Sequence, residues 1–346
     1  MIRSILAGAL VLFMINSASA QNVTLTMAAA QPGGSTDISS KNLAEVAAAN
    51  NIATIQVQVG QVLTKTVQQV AEGKTDISAG PFVLKFLLGK GLGPYSGVGK
   101  EKGAALADNL RILYPYHIAS FYLIAFQSTG IDSYEKLRGK TVHNGPPRGG
   151  ALILARQIIQ STTGMKDGKG YQGKQIAWGQ ANSIFLDRSV EATVRPGTNP
   201  ASFVPIMMAA GKINIISVPK AKFESPPWKK LVNSPGRAPI VLPLSAVDTY
   251  GPNAKVISED DKFRTVADVA GEMVNKSMDK ALAKKLTAAF IKGLPNLFKK
   301  TPFARGQRFG EIDEKVFRMC KAGIKFHAGA AEAWEEAGFK IADCAK

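Results

Sequence analysis

The residues best placed to do chemistry stand in the turn GPPRGG, Gly145 to Gly150, which closes a short apolar run and opens a stretch of helical periodicity. The first N–H groups of a helix have no partner inside it and carry the positive end of its dipole, so they favour an anion. Arg148 adds a fixed cation able to grip a carboxylate with two hydrogen bonds, and Gly149 and Gly150 let a ligand approach the backbone closely. The turn fits neither a Walker A loop nor GxGxxG, and it reads equally as an ordinary βα connection with a solvated arginine. A second turn, QPGGST, places Gly34, Ser35, Thr36 and Asp37 at a helix start, either as plain capping residues or as hydroxyls and free N–H groups facing a cleft. Covalent chemistry has no comparable signal. There is no GxSxG elbow and no HExxH pair, and the three histidines stand in dissimilar contexts.

Both turns need a strand before them and a helix after them, and the flanking residues supply these. Thr24 to Ala30 reads as a buried strand and Lys41 to Ala49 as an Ala-rich helix. Ile52 to Val59 is a β-branched strand followed by the loop at Gln61 and an amphipathic helix, and KTDISAGPF is a short strand ending at Gly80 and Pro81. Gly89 to Gly103 reads as a surface loop, and Arg111 to Phe126 as two strands leading to a second lobe. Tyr134 to Leu137 is a short helix, and the strand before GPPRGG starts at Lys140. Gln175 to Gly179, the run EATVRPG and Ile213 to Val218 read as strands, and Asn182 to Val190 as a helix. From Asp261 onward Phe263 to Met273, Asp279 to Ile291 and Ala328 to Ala337 read as amphipathic helices. Alternating strands and helices predict an α/β chain with a largely parallel sheet, whose ligands lie at the carboxyl ends of the strands.

The chain opens with Arg3, an unbroken apolar run from Ile5 to Ile15 and then NSASA, the three parts of a secretory signal peptide cleaved after Ala20. Eleven apolar residues are too few to span a bilayer, which needs roughly 20. The expected mature protein of 326 residues (346 minus 20) is exported to the periplasm and long enough for two lobes with their own cores. It carries 42 basic and 26 acidic residues once Arg3 is removed, a net charge of +16. The lysines are scattered rather than clustered with aromatics, which argues against a nucleic-acid partner and for attraction of anionic ligands. Cys320 and Cys344 are the only cysteines, and in an exported chain a bridge tying down the last helix is expected. Two idle thiols are the alternative reading, and His327 alone cannot complete a metal site with them.

The segment GIDSYEKLRGKTVHNGPPRGGALILARQII resembles the "gI.s..DLkGk.V..GppGSGT" region of the TAXI-family solute receptors of tripartite ATP-independent periplasmic (TRAP) transporters. RILYPYHIASFYLIAF, VRPGTNPASFVPIM and KFHAGAAEAWEEAGF resemble that family's strand pair, "aG.P" turn and C-terminal motif, in the same order. The likeness covers nearly the whole mature chain. It departs where Arg148, Gly149, Gly150 and Ala151 replace small hydroxyl residues, where Val59 to Val62 reads VGQV for "TGGS", and where Gly80 and Pro81 replace a polar pair.

The resemblance implies a type II periplasmic-binding-protein fold, two α/β lobes joined by a two-strand hinge with the ligand between them. Lobe one would take residues 21–117 and 246–346, and lobe two residues 118–245. The implied function is capture of a small carboxylate, an amino acid or a di- or keto acid, for delivery to a TRAP-type permease, by a monomer without cofactor or enzymatic activity. The anionic end of the ligand is expected at Pro147 to Ala151 with Arg148 as principal cation. Gly34, Ser35, Thr36, Gln61 and Pro81 face it from lobe one, and Thr198 and Asn199 complete the shell. His327 is expected to pack or cap the final helix. An ABC-type binding protein of the same fold and a secreted hydrolase with paired carboxylates are the alternatives.

Overall fold

The computed structural model describes residues 23–346, so the expected signal peptide lies outside the described residues. Three parallel strands open the chain: β1 (Val23–Ala28), β2 (Ala53–Gln58) and β3 (Ile77–Pro81), with β1 pairing both of the others. Helices α1 (Ser35–Ala49) and α2 (Leu63–Ala71) make the crossovers between them. A parallel pair requires such a crossover, and it returns each following helix start to the same edge of the sheet. Helices α3 (Phe82–Lys90) and α4 (Lys100–Asp108) follow. They correct the expectation of a loop over Gly89 to Gly103. Gly103 there serves packing: a Cβ on it would lie 2.1 Å from the carbonyl oxygen of Leu88.

The remaining strands are β4 (Leu110–Phe126), β5 (Thr141–His143), β6 (Lys166–Asp167), β7 (Gly170–Lys174), β8 (Ala192–Gly197), β9 (Ile213–Ile216), β10 (Arg237–Pro243), β11 (Ala254–Ile257) and β12 (Lys262–Asn275). Their order is β2-β1-β3-β12-β4-β8-β5-β7-β6, with β10 also on β12 and the pair β9–β11 also on β4. Helix α5 (Gly150–Thr163) follows β5.

Two long antiparallel strands tie this array together. Arg111 to Phe126 forms part of a single 17-residue strand rather than two. Its partner β12 occupies the stretch expected to be the helix Phe263 to Met273. That misreading has a physical cause. A strand hydrogen-bonded on both edges and covered on both faces has no polar side to keep in register with water, so the period of two disappears from its sequence. Phe263 to Val274 is buried without interruption, and its alanines then mimic a helical stretch. Gln175 to Gly179 is also not a strand; the ladder residues are Gly170–Lys174, and Trp178–Gln180 is a 3-10 turn. The helix expected over Asn182 to Val190 shortens to Ser183–Leu186.

The chain has two α/β lobes, each with its own apolar packing. One core joins Leu25, Val67, Leu84, Tyr114 and Tyr116 to Val269, Met273, Phe290 and Trp334. On the other side, Phe121, Val142, Leu154, Val194 and Trp228 form one cluster with Val266, while Tyr122, Phe185, Val204, Ile215, Val247 and Phe263 form a second. The change-over falls within the same short length of both shared strands, between Tyr116 and Phe121 on β4 and between Val266 and Val269 on β12. The β4–β12 register shifts between Asp268 and Val269 and again between Gly271 and Met273. Such irregularities bend a strand locally.

The chain after β12 packs on the first lobe. Helix Lys280–Lys300 starts on an Asp279 cap whose Oδ1 accepts from Leu282 N at 2.7 Å. Cys320 and Cys344 are bridged, with 5.5 Å between their Cα atoms. His327, 2% exposed, caps the last helix by accepting from Gly329 N at 3.2 Å. Among the described residues no group of His, Cys, Asp and Glu could hold a metal, and no helix is long and apolar enough to cross a membrane.

Candidate functional site

The change-over between the cores coincides with a cavity lined by Ile118 and Ala119 of β4 and Asp268 of β12. Every strand end of the first lobe delivers a turn to it. After β1 the chain passes Ala30 and Gln31 to Gly34, the residue preceding α1; after β2 it passes Gln61 and Val62 to the start of α2; after β3 Pro81 immediately precedes α3. The second lobe contributes Pro146 and Arg148 to Ala151 at the start of α5, together with Trp178 and Pro196 to Thr198.

The α1 and α5 starts are built to leave their amides free. No side chain caps either helix. Thr36 Oγ1 instead accepts from Ala30 N at 3.1 Å and Asp37 Oδ2 from Gly33 N at 2.8 Å, so these side chains tie down the turn. The first backbone bond of α1 runs from Ile38 N to Gly34 O, and that of α5 from Ile153 N to Gly149 O. The amides of Ser35, Thr36 and Asp37, and of Gly150, Ala151 and Leu152, therefore have no backbone acceptor. Gly149 holds a φ of 134°, a left-handed conformation that only glycine adopts without strain. A Cβ on it would lie 3.8 Å from Val62 Cγ1 of the opposite lobe, so the start of α5 sits directly across from α2. Helix starts from both lobes thus add their positive ends in one enclosed space.

Of the expected residues, Gly34, Ser35, Thr36, Gln61, Pro81, Arg148, Gly149, Gly150, Ala151 and Thr198 line this cavity, whereas Pro147, which is exposed, and Asn199 do not. Asn199 is engaged behind it, its Oδ1 accepting from Tyr122 Oη at 2.8 Å, while Thr198 donates its hydroxyl to Pro200 O at 2.7 Å. Arg148 is exposed, so it stands where water still screens its charge. Ser35 Oγ lies 3.5 Å from the Gln307 amide, which, oriented with its nitrogen toward the hinge, donates to His117 O and Ile118 O.

Several contributors were not anticipated. Gln31, 7% exposed, has an Oε1 without a partner among the described residues, and its place at the head of QPGG was the only signal. Asp268 is 3% exposed and ion-paired with the equally buried Arg237 of β10; a sequence reading that made its segment a helix could not place it. Trp178 walls the second lobe. Behind it lies Arg195, 1% exposed, whose Nη1 donates to Asn182 Oδ1 at 2.8 Å and whose guanidinium stacks over Phe203 at 4.0 Å and lies 5.7 Å from the Trp178 ring. No carboxylate pairs with Arg195 among the described residues, and burial lowers its affinity for the proton. His143, at the end of β5 and 6.0 Å from Trp178, is held neutral: burial, reinforced by the Arg195 charge, lowers its pKa to about 4. The site therefore combines unpaired helix-start amides and the Arg148 cation with an apolar wall, an arrangement suited to holding an anion.

The sequence model of the NMT1-like family matches residues 27–338. No protein of curated function matches the chain. Among solved structures, the chain is similar to a TRAP periplasmic solute-binding protein from Ralstonia eutropha H16 with bound (S)-2-acetolactate, at 14% identity and a TM-score of 0.47 over 92% of this chain and 86% of the other. A TRAP periplasmic solute-binding protein from Roseobacter denitrificans with bound β-D-glucuronate has 12% identity and a TM-score of 0.46, covering 91% of this chain and 95% of its own. One from Sulfitobacter sp. NAS-14.1 with bound β-D-galacturonate has 10% identity and a TM-score of 0.47, with 91% and 94% covered.

Proposed function

We propose that this chain, which belongs to the NMT1-like family, is a TAXI-type receptor that captures a small carboxylate in the periplasm and passes it unaltered to a TRAP-type permease. The observation that carries the reading is the meeting of unpaired helix-start amides from both lobes at one cavity beside Arg148. An anion bound there is held by both lobes at once, so it favours the closed arrangement over any in which they separate. The lobes take residues 23–117 and 118–245, as the change-over on β4 supports. Residues 246–266 go with the second lobe, because Val247, Ala254, Phe263 and Val266 pack there and β11 pairs with β9. The remainder completes the first. The receptor acts as a monomer, with the leader removed after Ala20.

A thermal-shift screen of the mature protein against amino acids, dicarboxylates, keto acids, hydroxy acids and neutral sugars tests this, since a ligand that binds only the native state raises the midpoint. Carboxylates are expected to stabilise it. Stabilisation by neutral sugars or metal cations alone overturns the carboxylate assignment.

A further inference from the structure

The two lobes are bonded to each other at places that do not line the cavity. Helix Pro226–Val232 packs within the second lobe through Trp228 and Leu231. It ends in VNSPG, where Pro235 has no N–H to offer the carbonyl three residues back, and Val232 O has no backbone donor among the described residues. Its donor comes from the first lobe: Arg318 Nη1 reaches Val232 O at 2.9 Å and Asn233 Oδ1 at 3.2 Å. The first lobe presents this side chain on a fixed base. Phe317 is buried in the first core with its ring 5.4 Å from that of His117, and Met319 is buried on the other side. Arg318 between them holds a left-handed φ of 52° as it ends the helix Glu314–Phe317. Glycine would end that helix with less strain; arginine adds the reach to the second lobe.

A second bond crosses between the lobes elsewhere. Ser202, flanked by Ala201 and Phe203 of the second lobe, donates its hydroxyl to Gly33 O in the QPGG turn at 3.1 Å. Neither Arg318 nor Ser202 lines the cavity. Both bonds join groups on different lobes, so both break when the lobes part, whatever the cavity contains. The Arg318 contact is the stronger of the two, because its donor is charged and half-buried, whereas Ser202 is neutral and exposed.

We infer that Arg318 is a positioning residue for ligand retention, a latch that holds the second lobe to the first through Val232 and Asn233, with Ser202 as its weaker companion. It sets how long a captured ligand stays without touching that ligand. The retention role rests on the receptor reading above; the latch itself rests on the two-lobe fold alone.

The chain's three tryptophans supply a test that needs no ligand. Trp178 lines the cavity and is 6% exposed, whereas Trp228 and Trp334 are fully buried, one in each lobe's core. Parting of the lobes uncovers Trp178 and leaves the other two covered; unfolding uncovers all three. Trace labelling of the mature protein with 2-hydroxy-5-nitrobenzyl bromide, mapped by peptide mass spectrometry, reads each tryptophan in proportion to its uncovered population, because lobe motions re-equilibrate in microseconds to milliseconds while the reagent persists. Arg318→Met should raise Trp178 labelling roughly threefold to tenfold, the worth of a half-exposed charged hydrogen bond, with Trp228 and Trp334 unchanged. Arg318→Lys keeps the cation and should fall between wild type and Arg318→Met. Ser202→Ala should act in the same direction, by about twofold to threefold. Unchanged Trp178 labelling in Arg318→Met, or an equal rise at all three tryptophans, overturns the latch. Should Arg318→Met fail to fold, Asn233→Ala removes one of the two acceptors at an exposed position, and a rise confined to Trp178 is again the expected result and no rise the refuting one. The carboxylate reading stands or falls separately, on the thermal-shift screen.

Discussion

Glu272 is the group whose replacement tests the packing of the hinge strand most sharply. It lies on β12 opposite Ala79 of β3, is 0% exposed, and accepts from Tyr116 Oη at 3.0 Å through Oε1; the Ser39 and Tyr116 hydroxyls oppose the effect of burial without cancelling it. Its Oε2 has no partner. Burial therefore pushes its pKa from 4.5 up to about 7. The sign follows from proton counting. Between these values the folded carboxyl keeps a proton that the unfolded one has lost, so stability is greatest below 4.5 and falls as the pH rises to about 7. From about pH 5.5 to 7 the loss is 1.5 pH units at roughly 1.4 kcal/mol each, or about 2 kcal/mol, and it levels off above.

Glu272→Gln preserves the shape and the bond from Tyr116 but cannot ionise. Urea unfolding of both proteins at about pH 5.5 and 8 should show the variant gaining on wild type by about 2 kcal/mol between the two conditions. Buried His117 and His143, each lowered to about 4, act in the opposite sense: their contribution is present above 6.5 and lost as the pH falls toward 4. They are common to both proteins and cancel in the difference. Parallel pH–stability curves for wild type and variant would refute the reasoning, because they would mean that water or a neighbouring charge keeps Glu272 ionised.

Arg148→Ala should weaken binding of the best carboxylate by only about threefold to tenfold, since the residue is exposed, and the difference should shrink in high salt when followed by calorimetry. Gly236→Ala should weaken ligand binding without changing any lining residue: its φ is 74°, and a Cβ there would lie 2.4 Å from Val83 N on the facing lobe, so small-angle scattering with saturating ligand should report a more open particle. Replacing Cys320 and Cys344 by Ala should cost about 3 kcal/mol for a bridge closing 24 residues, read as a lower unfolding midpoint, while leaving ligand affinity within about twofold.

What the sequence determined by itself is whatever depends on neighbours along the chain. The strand–turn–helix units around QPGGST and GPPRGG were legible because a helix start requires its turn, its glycines and its periodicity within about ten residues. Those units carry nearly half of the residues that line the cavity. The anion-favouring character of the site was readable for the same reason: it belongs to helix starts, which are local objects.

The tertiary structure alone decided what depends on partners distant in sequence. Phe263 to Met273 became a strand because β3, β4 and β10 offered it hydrogen bonds on both edges, a competition that no local propensity records. The same event carried Asp268 to the cavity and set Arg237 against it. Arg148, the most conspicuous cation in the turn, was left in water, while the unremarkable Arg195 in EATVRPG was buried behind Trp178. A side chain's direction is fixed by the element beneath it and by what packs above. Which polar groups face the ligand is therefore settled only when the two lobes meet along β4 and β12.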